Sequence, residues 1–282
     1  MTIKIDWLTG CATALVTPFT KTGEIDETCF VSLVNRQIDF GVKLLVPCGT
    51  TGESATMSEE EDRHVIDLTV KAASGRAHVI AGTGSNSTNA SIEYTRIARD
   101  LGADAALLVA PYYNKPTQEG LYAHYSAIAE AVQDFPLVLY NVPGRTSSNI
   151  EASTTLRLAR DHDNIVAIKE ASGNMSQIMR ILSERPTGFK VLSGDDGVTL
   201  PLIVLGADGL ISVVANEVPD LASSMVNLAL EGKFPDARAL HYKLLPLMEA
   251  NFIESSPGPV KAVMAMMALL EESYRLPMVP VK

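Results

Sequence analysis

Long apolar runs, paired cysteines and clusters of basic residues are what this chain lacks. No apolar run reaches the roughly 18 residues that a membrane-crossing helix needs. The 3 cysteines, Cys11, Cys29 and Cys48, are an odd set without C-x-x-C spacing. Neither a disulfide framework nor a zinc site is therefore supported, and a reducing, cytoplasmic location is the expectation. The 5 histidines, at 64, 78, 124, 162 and 241, are scattered and form no H-E-x-x-H pair, so no protein metal site is expected. Lys and Arg number 23 against 33 Asp and Glu, a formal net charge of −10 with no basic cluster. That balance argues against nucleic acid or anionic membranes as partners. The first residues, Met1 to Trp7, carry an acid and no apolar core, unlike a signal peptide.

What is present is a chain of 282 residues that is 46% hydrophobic, with a mean hydropathy of +0.14, enough to bury a large core. Short, β-branched apolar runs alternate with longer helical ones. The strand-like runs are 12–16, 44–47, 78–81, 105–110, 137–140, 165–169, 190–193 and 209–213. They are continuously hydrophobic, as parallel strands covered on both faces should be. Helical stretches lie between them: 26–40, one starting at Ser58, 88–101, 119–132, 152–159, 175–182, 197–205 and 219–230. Ser58 with Glu61 makes a capping box, and Gly102 is a helix stop. Eight βα units in this length, without a dinucleotide fingerprint, predict a (β/α)8 TIM barrel over residues 1–231 in preference to a doubly wound open sheet. From Phe234 the strand signal stops. Helices at 237–251 and 260–272 predict a small C-terminal helical appendage, residues 232–282, packed against the barrel.

In such a barrel the chemistry belongs in the loops after the strands. The run Ile165-Val166-Ala167-Ile168 leads straight into Lys169. A lysine there should be poorly solvated, which lowers an ammonium pKa and makes the amine a candidate Schiff-base nucleophile. A lysine that merely snorkels to water is the plain alternative. Gly49-Thr50-Thr51-Gly52-Glu53-Ser54 follows the second strand. Its exposed N–H groups could cradle a carboxylate or phosphate, or it is an ordinary glycine-rich turn. Gly82-Thr83-Gly84 lacks the third glycine of a dinucleotide loop and reads as a turn. Pro111-Tyr112-Tyr113-Asn114 is a stiff aromatic loop, suited to binding or to packing. Tyr140 ends the fifth strand, where a phenol could pass protons to a nearby amine. Arg145 lies in a Gly-Pro turn, able to grip a carboxylate or to remain solvated. Asp195 and Asp196 hint at a metal, but without a third ligand a helix N-cap is the better reading. Gly194 leaves room for a substrate.

These motifs, together with Ile168-Lys169-Glu170-Ala171 and Gly209-Leu210-Ile211-Ser212-Val213, resemble in order the dihydrodipicolinate synthase branch of the N-acetylneuraminate lyase superfamily of class I Schiff-base aldolases. The resemblance implies a lyase of lysine and diaminopimelate biosynthesis that needs no cofactor and assembles as a homotetramer, a dimer of dimers. It implies that Lys169 forms an imine with pyruvate and that the derived enamine attacks L-aspartate 4-semialdehyde. Tyr140 matches the proton-shuttling tyrosine, with Thr50 and Tyr113 its relay partners, Tyr113 arriving from a neighbouring subunit. Thr51 would hold the pyruvate carboxylate, Arg145 that of the semialdehyde, and Gly194 and Ile211 would line the pocket. Ser54, Ala55, Asn86 and Tyr112 match the effector site of lysine-inhibited members. Asp62 and Ala90 stand where those members have a histidine and a glutamate, so weak or absent lysine feedback is expected. Relatives commonly continue into one more helix beyond Leu276–Lys282. The nearest rival is an aldolase for sialic acid or 2-keto-3-deoxy sugar acids, disfavoured by Arg145 in its Asn-Val-Pro-x-Arg-Thr context; a non-catalytic keto-acid-binding barrel is a minor one.

Overall fold

A computed structural model describes residues 3–282. Its centre is a closed parallel barrel of β1 (Gly10–Ala14), β2 (Leu44–Val46), β3 (His78–Gly82), β4 (Ala105–Val109), β5 (Leu137–Asn141), β6 (Ile165–Glu170), β7 (Lys190–Ser193) and β8 (Gly209–Ser212). β8 closes on β1 with Ala12 opposite Ile211. Around it run α1 (Glu27–Asp39), α2 (Glu59–Ala73), α3 (Thr88–Asp100), α4 (Gln118–Ala131), a single turn α5 (Pro143–Thr146), α6 (Ala152–Asp161), α7 (Met175–Glu184), α8 (Thr199–Val204) and α9 (Pro219–Leu230). α10 (Phe234–Ala250) and α11 (Gly258–Met266) complete the chain's helices among the described residues. The closed barrel with its ring of helices is the fold that the βα alternation predicts.

Side chains on a strand alternate between faces, and each face here meets apolar neighbours. Leu44, Val46, Ile80, Leu107, Val138, Ala167, Leu192 and Ile211 fill the barrel interior. Their neighbours Leu45, Val79, Leu108, Leu139, Ile168 and Val191 pack against the helices instead. Continuous hydrophobicity in the sequence is the sum of these two buried faces. Tyr140 stands two residues after Val138, and Lys169 two after Ala167, so both inherit the inward face. The barrel's opposite end is stopped by Ile3, Ile5, Trp7 and Leu8, which pack onto the interior cluster. The Trp7 ring stacks on His78, 4.3 Å between centroids.

Three helix expectations need correction. The 197–205 stretch divides into a 3-10 turn, Asp196–Val198, followed by α8. Pro201 cannot donate a backbone N–H, so it suits the start of a helix better than its middle. α10 begins at Phe234, three residues before the expected Ala237, with Pro235 in its first turn. The helix expected over 260–272 ends at Met266, and Ala268 takes a left-handed φ of 56°. The chain then leaves the helix axis and runs back along the barrel, where Ser273 donates to the Thr20 carbonyl and Arg275 to that of Gly23. α11 itself packs Val260 and Met264 against Val16, Leu33 and Val213, at the carboxyl ends of β1 and β8.

Candidate active site

β5 and β6 set Tyr140 directly opposite Lys169 in register. Lys169 is 6% and Tyr140 7% exposed, and the Lys169 Nζ lies 4.2 Å from the centroid of the Tyr140 ring. An amine and a phenol are thus held side by side on the floor of the mouth. Gly194 makes space for the amine's stem. A Cβ there would stand 2.9 Å from Lys169 Cε and 2.7 Å from the Ala171 Cβ. Ile211 is buried in the interior cluster that also holds Tyr140.

A network that the sequence reading did not assign holds the two strand ends. Glu170 is 1% exposed. It accepts from Asn141 Nδ2 at 2.8 Å, Gln177 Nε2 at 2.8 Å and the Ser172 N–H at 3.0 Å. Asn141 also donates to Asn149 and accepts from the Ile150 N–H, both at 2.9 Å. Every polar atom of this buried cluster has a partner, which rigidifies the residues flanking Tyr140 and Lys169. The signal available in the sequence was only a carboxylate following the lysine at a strand end.

The loop after β2 folds as a double turn. The Gly52 N–H donates to the Gly49 carbonyl and the Glu53 N–H to that of Thr50, each at 3.1 Å. The N–H groups of Thr50 and Thr51 have no protein acceptor among the described residues. Two successive unpaired N–H groups are the donor type that anion-binding turns use. Thr51 is buried and Thr50 exposed. Gly84, in the loop after β3, has a different reason to be glycine: a Cβ would lie 2.3 Å from the Val109 nitrogen.

A cavity of about 430 Å³ opens beside this mouth, and Thr50, Ser54, Asp62, Tyr112, Tyr140 and Arg145 are among its walls. Arg145 is exposed, and its Nη2 reaches the Ser256 carbonyl at 3.4 Å. α5 carries Arg145, so the guanidinium stands on a helical turn and not on the open Gly-Pro turn expected. Ala55 also lines the cavity. Asn86 lies behind it and donates to the Tyr112 carbonyl at 3.2 Å; Ala90 sits in the first turn of α3, its N–H capped by Ser87. Asp62 accepts from Ser54 at 2.9 Å, and its other carboxylate oxygen is buried without a partner. Burial pushes its pKa up to about 6, against the pull of the Ser54 and Cys48 hydrogen bonds.

Tyr113 is not brought into this mouth. It is 89% exposed with φ +72°, on a loop that projects away from its own barrel. Asp195 caps the Gly197 N–H at 2.9 Å. Asp196 is buried and accepts from Ser212 Oγ and the Val213 and Val214 N–H groups, which ties the β7 loop to the end of β8. No group of three or more potential metal-ligating side chains occurs among the described residues.

The model of the dihydrodipicolinate synthetase family matches residues 7–282. A 4-hydroxy-tetrahydrodipicolinate synthase of Koribacter versatilis is 54% identical over 276 residues, 98% of this chain and 91% of that protein. One from Chloroherpeton thalassium is 51% identical over 273 residues, 97% and 90% of the two chains. The crystal structure of dihydrodipicolinate synthase from Aquifex aeolicus superposes with a TM-score of 0.95 at 44% identity, covering 97% of this chain and 93% of that one.

Proposed function

The chain belongs to the dihydrodipicolinate synthetase family, and from that membership we propose that it is a 4-hydroxy-tetrahydrodipicolinate synthase, condensing pyruvate with L-aspartate 4-semialdehyde in lysine and diaminopimelate biosynthesis. The observation that carries the reading is the buried Lys169 amine against Tyr140, with Gly194 clearing its stem. The amine adds to the keto carbon of pyruvate and water leaves, giving an imine. The imine withdraws electrons from the adjacent methyl group, which loses a proton to become a nucleophilic enamine carbon. That carbon attacks the aldehyde of the semialdehyde, and attack of the product's own amine closes the ring and frees Lys169.

Tyr140 is the proton carrier, within reach of the amine, and Thr50 relays protons from the exposed side of the mouth. The free N–H groups at Thr50 and Thr51 suit the pyruvate carboxylate, and Thr51 is their anchor. Arg145, at the cavity wall, suits the semialdehyde carboxylate bidentately. Gly194 and Ile211 shape the space between. Tyr113, exposed on its own barrel, completes the relay of a second copy, which makes the working unit at least a homodimer; a dimer of dimers is the assembly that the family resemblance implies. The barrel, residues 1–231, carries the chemistry and the helical region, residues 232–282, braces it. No described helix is long and apolar enough to cross a membrane, and the cytoplasm is the proposed site of action.

Borohydride reduction in the presence of pyruvate tests the reading. A reduced pyruvyl adduct on Lys169, absent from Lys169→Arg, is expected, together with turnover of the semialdehyde. Without an adduct only keto-acid binding would survive; turnover of sugar acids in place of the semialdehyde would favour the rival aldolase.

A further inference from the structure

Glu53 and Lys261 have no part in the chemistry above, yet they are 3% and 0% exposed. Lys261, on α11, sets its Nζ 2.6 Å from Glu53 Oε1 and 3.1 Å from the Thr17 carbonyl. The ammonium also lies 4.5 Å from the centroid of the Phe19 ring and 5.1 Å from that of Tyr274. An ion pair removed from water is a weak source of stability, because desolvation offsets the attraction between the charges. Its location suggests another use. Glu53 ends the turn that carries Thr50 and Thr51, and it takes φ +54°, while Cys48 at the start of the turn takes φ +55°. Two non-glycine residues in the left-handed region persist only where their surroundings over-determine them. Thr17 serves the same turn, for its Oγ1 donates to the Gly52 carbonyl at 2.7 Å. Lys261 therefore holds the turn twice, through the Glu53 carboxylate and through the residue that carries Gly52. Arg275 adds a brace from the C-terminal segment, pairing with Glu61 and donating to the Thr56 carbonyl just past the turn.

We infer that the Glu53–Lys261 pair positions the carboxylate-binding turn, so that α11 sets how well the mouth holds pyruvate. This rests on the proposed function. With the pair weakened, the turn relaxes toward ordinary backbone angles and the Thr50 and Thr51 N–H groups no longer converge. Both are positioning residues, acting through the turn.

Glu53→Asp shortens the carboxylate by one methylene and stretches the pair without removing its charge. Lys261→Met combined with Glu53→Leu removes both charges at similar volume, a change that buried pairs commonly tolerate. Pyruvate concentration at half-maximal borohydride trapping, KM for each substrate, kcat and melting temperature are read for both. The expected result is a rise of about tenfold in half-saturating pyruvate and in its KM, a smaller change in kcat, and little change in the KM for the semialdehyde, as misplacement of a binding group predicts. The double variant should melt close to the parent and still bind pyruvate poorly. A folded variant of either kind that binds pyruvate as the parent does, or one that loses kcat and both affinities together, would overturn the inference. Absence of trapping in the parent protein would instead overturn the proposed function.

Discussion

Replacing Gly194 with alanine adds one methyl group at the point where β7 passes the Lys169 stem. Gly194 is not among the positive-φ glycines, so the backbone accepts the change and the effect is one of space. The new Cβ would meet the Ala171 Cβ at 2.7 Å, Lys169 Cε at 2.9 Å and Lys169 Cγ at 3.1 Å, each inside ordinary contact distance. Ala171 is held by the backbone bond from its N–H to the Asn141 carbonyl at 2.9 Å, so the lysine stem is the softer partner. Overpacking of one methyl group costs about 1–3 kcal/mol. In a protein of this size each kcal/mol lowers the melting temperature by about 2–4 °C. Displacement of the reacting nitrogen by up to an ångström costs about 100-fold in rate. The substitution should therefore slow turnover far more than it lowers stability. Steady-state kinetics, the rate of borohydride trapping and thermal melting report the three quantities. Adding Ala171→Gly removes the shortest contact and leaves that with Lys169, so stability should recover while the rate stays low. A Gly194→Ala protein with kcat/KM within about twofold of the parent, a barrier change too small to matter, and with normal trapping would refute the reasoning.

Asp62→Asn tests the cost of a carboxylate buried beside the cavity. The folded-state pKa of about 6 lies above the ordinary aspartate value of 3.8, so the folded protein holds the extra proton between those values and loses stability as pH rises through that window. The asparagine variant should be more stable by up to about 3 kcal/mol above pH 7, an advantage that fades toward pH 4 in denaturant titrations; an equal stability difference at both ends would contradict it. L-lysine should inhibit weakly or not at all, since the family resemblance sets Asp62 and Ala90 where lysine-inhibited members have a histidine and a glutamate. Strong inhibition at sub-millimolar lysine in a steady-state assay would sink that expectation.

Much of the fold was legible because its signals are local. The Ser58 capping box closes as its spacing requires, with Glu61 accepting from the Ser58 N–H at 2.8 Å. The apolar runs mark the strands to within a few residues, since continuous hydrophobicity is what a strand between two packed layers needs. Lys169 and Tyr140 stood out for the same reason: each ends an apolar run, and the parallel register then sets them opposite one another. Less legible were contacts between residues far apart in the chain. Lys261 is the one polar residue in the apolar run from Pro259 to Leu270, but nothing nearby names Glu53, 208 residues earlier, as its partner. The end of α11 escaped similarly. Val260 to Glu272 has helical composition throughout, but contacts of Ser273 and Arg275 with the 20–23 segment draw the chain off the axis. Tertiary attachment there outweighs propensity, which differs by only tenths of a kcal/mol between ordinary residues.

The bond from Lys261 to the Thr17 carbonyl spans 244 residues, and its consequence is one of order in time. During synthesis the strands, Lys169 and Tyr140 all leave the ribosome well before α11 does. Non-local contacts of this separation form late because loop closure must come first. A nascent barrel would thus hold its amine before the turn meant to receive the keto acid is fastened. On the proposed reading, tight hold on pyruvate then arrives with the last tenth or so of the chain, and a product truncated before α11 would carry the lysine with a loosened grip on the keto acid.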